Sequence, residues 1–139
     1  MPKPNKRRDT GCPIVFALDT FGDRWSLVII RDMMMRGCRT YGEFLEAREG
    51  ISTNILADRL KELEEFGIIT KSRDPDNRRR VLYRLTEKGA DLAPAMLEIV
   101  RWSAKYDPNT GAKKAELDRI EKDRDRLVDD IRARVLDGH

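Results

Sequence analysis

Apolar positions along this chain change their spacing several times, and each change marks an element. Pro13 suits a first helical position, and Ile14, Phe16, Ala17 and Leu18 after it predict a short apolar helix. Gly22 and Asp23 break that helix. Asp23 can cap a second one that carries Trp25, Val28, Ile29, Met33 and Met34 to about Arg36, where Gly37 ends it. Thr40 and Glu43 stand as a capping box, opening a short third helix that turns Phe44 and Leu45 inward and stops at Gly50. Ser52 caps a fourth helix that reaches Phe66 and is closed by Gly67. Residues 68–72 and 81–85 then read as strands around a turn at 74–79, which predicts a β-hairpin. Thr86 caps a fifth helix through about Tyr106, with Leu92, Met96, Leu97, Val100 and Trp102 apolar and a kink expected at Pro94. After a turn at 108–111, a sixth helix lines up Leu117, Ile120, Leu127, Ile131 and Val135 on one side. Such a stripe on a terminal helix calls for a partner surface.

Helix, short turn, helix, hairpin is a sequence of elements that suits nucleic acid. Stepping about 100° per residue along the fourth helix puts Ile55, Leu56, Leu60, Leu63 and Phe66 on one side. The other side holds Asn54, Ala57, Asp58 and Lys61, with Ser52 and Thr53 at its start. Asn can pair with adenine, Lys can reach guanine or phosphate, Asp can accept from cytosine, and the Thr and Ala methyls can touch thymine. Glu62, Glu64 and Glu65 cluster at the far end, away from phosphates if the N-terminus docks first. Arg59 falls inside the apolar stripe, where it can either reach a phosphate or pair with an acid. An amphipathic helix with a merely solvated face has the same pattern, so the order of elements carries the weight.

Charge adds to this only locally. Among the 139 residues, 28 Lys and Arg nearly balance 25 Asp and Glu, leaving +3. Two basic clusters stand out: Lys3, Lys6, Arg7 and Arg8 in a polar N-terminal arm, and Lys71, Arg73, Arg78, Arg79 and Arg80 about the hairpin. With Asn77, the three consecutive arginines form the candidate contact at the hairpin. Arg80, which opens the return strand, is a brace as much as a contact.

Several classes are excluded. The lone histidine, His139, and two cysteines cannot build a four-ligand metal site, so no metal and no cofactor are expected. No Ser-His-Asp set and no Gly-rich phosphate loop appears, which argues against an enzyme. No apolar run is long enough for a membrane span and the start lacks a secretory h-region. A cytoplasmic protein with reduced thiols is therefore the expectation. Met33, Met34 and Met35 read as core or subunit contact, with a soft ligand-binding surface as the other reading.

Four stretches together resemble the HxlR-type winged-helix transcriptional regulators, relatives of the MarR and PadR groups. They are "CPIVFALDTFGDRWSLVII" (12–30), "RTYGEF" (39–44), "GISTNILADRLKELEEFGII" (50–69) and "RRVLYRLTEKG" (79–89). The resemblance implies a mainly α fold with a small β-hairpin wing, a winged helix-turn-helix with additional C-terminal dimerisation helices. It divides the chain into a flexible basic arm (1–11), the DNA-binding domain with its dimerisation helices (12–106) and a helical extension (107–139). It further implies a homodimer, expected to repress, that binds double-stranded DNA at an inverted repeat with half-sites about 34 Å apart. The fourth helix (Ser52, Thr53, Asn54, Asp58, Lys61) would enter the major groove. The wing (Asn77, Arg78, Arg79, Arg80) would lie on the backbone or minor groove. Cys12, at a helix start where a thiolate is favoured, is the candidate sensor of oxidants or electrophiles. The other reading of Cys12 is a small buried residue in a packed interface. For the whole domain the alternative is a protein-interaction module without sequence-specific DNA binding.

Overall fold

The computed structural model describes residues 10–47 and 49–137; the basic cluster at Lys3, Lys6, Arg7 and Arg8, and His139, lie outside the described residues. Four helices come first: α1 (Pro13–Phe21), α2 (Ser26–Met35), α3 (Tyr41–Glu46) and α4 (Thr53–Glu65). A hairpin follows, β1 (Ile69–Asp74) and β2 (Asn77–Leu85), and then α5 (Glu87–Ala90), α6 (Ala93–Tyr106), α7 (Lys114–Lys122) and α8 (Arg124–Asp137). No helix among the described residues is long and apolar enough to cross a membrane.

The caps stand where side-chain chemistry puts them. Thr40 and Glu43 form a reciprocal capping box at α3, the Ser52 hydroxyl accepts from the Ile55 amide, and the Thr86 hydroxyl accepts from the Gly89 amide. Gly89 itself is dictated by space, since a Cβ there would lie 2.4 Å from the Ile68 carbonyl oxygen. Asp23 acts slightly differently from a helix cap. Its carboxylate accepts from the Trp25 and Ser26 amides and the Ser26 hydroxyl, organising a turn before α2 rather than α2 itself. Burial pushes the Asp23 carboxyl up, but those donors and Arg59 outweigh it and hold the group below the usual carboxylate value.

Two helices differ from the sequence expectation. The helix from Thr86 is broken at Asp91–Leu92, not kinked at Pro94. Pro94 occupies the first turn of α6, where no amide is needed. The sixth helix is divided at Asp123 into α7 and α8. Its stripe is not left for another molecule: Ile120, Ile131 and Val135 are buried in the chain's own core. There α8 packs on α2, α5, α6 and β2, so the extension closes over the back of the winged helix. That core is built from Ile29, Ile30 and Met34 of α2, Phe44 of α3, Leu56, Leu60 and Leu63 of α4, Ile69, Leu85 and Met96. Each such side chain contributes roughly 1.5–3 kcal/mol by leaving water.

Candidate nucleic-acid interface

The inner face of α4 holds Leu56, Leu60 and Leu63, all essentially without solvent contact. The outer face presents Ser52, Thr53, Asn54, Ala57, Asp58 and Lys61, all exposed. Ile55, expected inside, is 39% exposed and sits at the stripe's edge. Arg59 pairs with acids: its guanidinium lies 3.5 Å from Asp23, 2.5 Å from Asp58 and 3.1 Å from Glu62. That cluster fastens α4 to the corner before α2 and engages Asp58, leaving Asn54 and Lys61 as the less committed polar groups. At the start of α4 the Tyr41 hydroxyl donates to the Thr53 carbonyl oxygen at 2.5 Å, tying the helix to α3. Nothing in the hydrophobic pattern singled out Tyr41; only an aromatic residue at the first position of a capped helix could have hinted at it.

The hairpin is longer and tighter than the sequence suggested. Its strands pair Ile69 with Leu85 through Arg73 with Val81, then, past an irregularity, Asp74 with Asn77. The connection is therefore Pro75–Asp76, and Arg78, Arg79 and Arg80 belong to β2 beside the tip rather than to a loop. Asp74 organises this end. One carboxylate oxygen accepts from the Asp76 amide at 2.9 Å, and the other accepts twice from the Arg80 guanidinium at 2.9 and 2.5 Å. The Asp76 amide, then Arg80, hold the Asp74 carboxyl below its usual range. Arg73 donates to the Arg78 carbonyl oxygen at 3.0 Å and braces the tip from the other strand. Arg78 and Arg79 are exposed, and among the described residues neither has a carboxylate within ion-pair distance.

A solvent-open groove of about 470 Å³ joins these parts, with Thr40, Tyr41 and Gly42 on one side and Asn77, Arg79 and Arg80 on the other. Since Tyr41 also holds Thr53, one continuous surface runs from the wing arginines across the start of α3 to the start of α4. Residue 39 extends the hairpin's other edge, because the Tyr83 amide donates to the Arg39 carbonyl oxygen at 2.8 Å.

The two thiols are placed differently. Cys12 is exposed at the start of α1, and its carbonyl oxygen accepts the first helical hydrogen bond, from Phe16. Cys38 is buried, and burial pushes its thiol up, with Asp32 and Glu43 adding to the effect. No cluster of three or more His, Cys, Asp or Glu able to hold a metal occurs among the described residues.

Known proteins share this arrangement. YodB, an HTH-type transcriptional regulator of Bacillus subtilis, is 35% identical over 99 residues, covering 70% of this chain and 88% of YodB. The reduced form of YodB superposes with a TM-score of 0.59 over 71% of this chain and 97% of that one, at 34% identity. The redox regulator HypR in its oxidised form gives a TM-score of 0.60 at 30% identity, covering 68% of this chain and 96% of HypR. An HTH-type transcriptional regulator of Synechocystis is 36% identical over 86 residues, a match spanning 62% of this chain and 63% of that protein's length. Residues 20–110, from the end of α1 through α6, match the family described as HxlR-like helix-turn-helix. With the capped helix pair, the braced hairpin and these relatives in agreement, the chain belongs to the HxlR-like helix-turn-helix family of transcriptional regulators.

Proposed function

We propose that this protein is a homodimeric, sequence-specific DNA-binding repressor that occupies an inverted-repeat operator and answers oxidants or electrophiles through Cys12. The surface that joins Arg79 and Arg80 to the start of α4, with Arg78 exposed beside them, carries the reading. In it, α4 offers short polar side chains near its N-terminus for base edges, while the wing offers two unpaired cations for phosphates. Asp74, Arg80 and Arg73 hold the wing in one shape before DNA arrives, which lowers the cost of ordering it on binding. A wing that docked on protein would not need this pair of unneutralised arginines. Homodimerisation is supported by α1 and α6, whose Ile14, Phe16, Leu18, Ile99, Trp102 and Tyr106 are all between 45% and 68% exposed.

Selection from random-sequence duplexes tests the proposal. An inverted repeat with half-sites about one helical turn (roughly 34 Å) apart is expected. Asn54→Ala and Lys61→Ala should then blur individual bases, whereas Arg78→Ala/Arg79→Ala should weaken all duplexes and flatten the salt dependence by about one unit per lost phosphate contact. Enrichment of no sequence, with wild-type and wing-mutant affinities equal, favours the protein-docking module instead.

A further inference from the structure

A second cavity adjoins the groove assigned to DNA, the two sharing Tyr83. Between the end of α2, the base of β2 and α8 is a pocket of about 230 Å³, walled by Met33, Leu85 and Val135 and carrying three arginines, Arg39, Arg84 and Arg134. Arg134 donates to the Met34 carbonyl oxygen at 2.7 Å, and Arg39 has a partner of its own. Arg84 has no such partner. Its side chain is half-buried, its Nε is shut off from solvent with no acceptor, and among the described residues no carboxylate lies within ion-pair distance. A guanidinium whose buried Nε lacks an acceptor, in a pocket that carries two more, offers an anion a site.

The cavity's size and wall narrow that anion. A cavity of about 150 Å³ holds benzene, so this open-mouthed cleft of about 230 Å³ has room for one ring with an acidic head. A guanidinium fork matches a carboxylate or phosphate head, and the apolar wall matches the ring. We infer that this pocket binds a small organic anion with a single-ring body, its acidic head on Arg84 and its ring against Met33, Leu85 and Val135.

The site adjoins the wing. Tyr83 also lines the pocket, and its ring meets Phe44 of α3 edge-on with centroids 6.2 Å apart. Arg84 is four residues along β2 from Arg80, about 13 Å at strand spacing. An occupant thus leans on the strand that continues into the wing, and anion and DNA change each other's affinity by the same factor. Arg134 and Val135 come from α8, beyond the residues 20–110 that match the family, so the pocket is built partly by this chain's own extension.

Thermal melting of the full chain with benzoate, phenyl phosphate, benzyl alcohol or inorganic phosphate, each at about 10 mM, tests the site. At least one of the two aromatic anions should raise Tm by about 2–4 °C, with neither benzyl alcohol nor inorganic phosphate doing so. Which of the two acts tells carboxylate from phosphate. Arg84→Met should abolish the rise while leaving the unliganded Tm unchanged or higher, because it removes a cation that lacks a partner. No rise with either aromatic anion, an equal rise with benzyl alcohol or inorganic phosphate, or a rise that survives Arg84→Met overturns the assignment. If Arg84→Met does not fold, the wild-type contrast between benzoate and benzyl alcohol still decides. The coupling rests on the DNA-binding proposal and is measured separately. A saturating anion should change wild-type DNA affinity at least about threefold. Anion binding with DNA affinity unchanged overturns the coupling and leaves the site, and a protein that binds no DNA leaves the melting result to stand alone.

Discussion

Single residues of one type meet opposite fates in this fold. Arg59 and Arg84 are both cations set among apolar neighbours. Arg59 is met by Asp23, Asp58 and Glu62, whereas Arg84 meets no carboxylate among the described residues. The helix pattern placed Arg59 in the stripe but could not choose its partner, because Asp23 comes from a corner brought near only by tertiary packing. The thiols divide in the same way. Cys38 is buried with its thiolate disfavoured, while Cys12 is exposed at the start of α1. Thiol chemistry should therefore fall on Cys12. A thiol reagent such as DTNB should modify one cysteine quickly in the native wild type and none quickly in Cys12→Ser. Diamide should weaken wild-type DNA binding by about tenfold or more, which is some 1.4 kcal/mol, and leave Cys12→Ser unchanged. Equal responses of the two proteins remove Cys12 as the sensor.

At the scale of elements, what the sequence made legible was local chemistry. The capping box at α3, the Ser52 and Thr86 caps and the inward leucines of α4 are each written within a few residues, and each is found in place. What escaped depended on distance. Periodicity identifies the apolar side of the terminal helix but not whether its cover is the same chain or another, and here the chain covers itself. The wing's tight end escaped for a similar reason: Asp74 reads as a turn residue until Arg80, six positions on, closes on its carboxylate. Ile131 tests how strongly the extension is docked. It is 3% exposed, so Ile131→Ala should cost about 2–4 kcal/mol through lost burial and a residual cavity. Calorimetry should then show Tm lower by roughly 5–15 °C with a single transition retained. A change below about 1 °C would mean that α8 is not part of the cooperative core.

The whole molecule leaves two helices without full cover. α1 buries only Thr20 of its nine residues and leaves Ile14, Phe16 and Leu18 in solvent, as α6 leaves Ile99, Trp102 and Tyr106. So much aromatic and aliphatic surface on two helices is the composition of an interface core rather than of a monomer's exterior. In the proposed homodimer a second copy covers these faces, and its two-fold symmetry would also give two α4 helices the spacing that an inverted repeat requires. Joining the half-sites matters energetically, because once one α4 is seated the other binds at an effective concentration near millimolar. Phe16→Glu and Trp102→Glu should therefore each yield a folded monomer by sedimentation, with far-ultraviolet circular dichroism unchanged. Affinity for an inverted repeat should fall by about 10²-fold or more, while affinity for a single half-site stays within a few-fold of wild type. If Phe16→Glu stays dimeric and keeps its affinity for the repeat, α1 is not the joining surface.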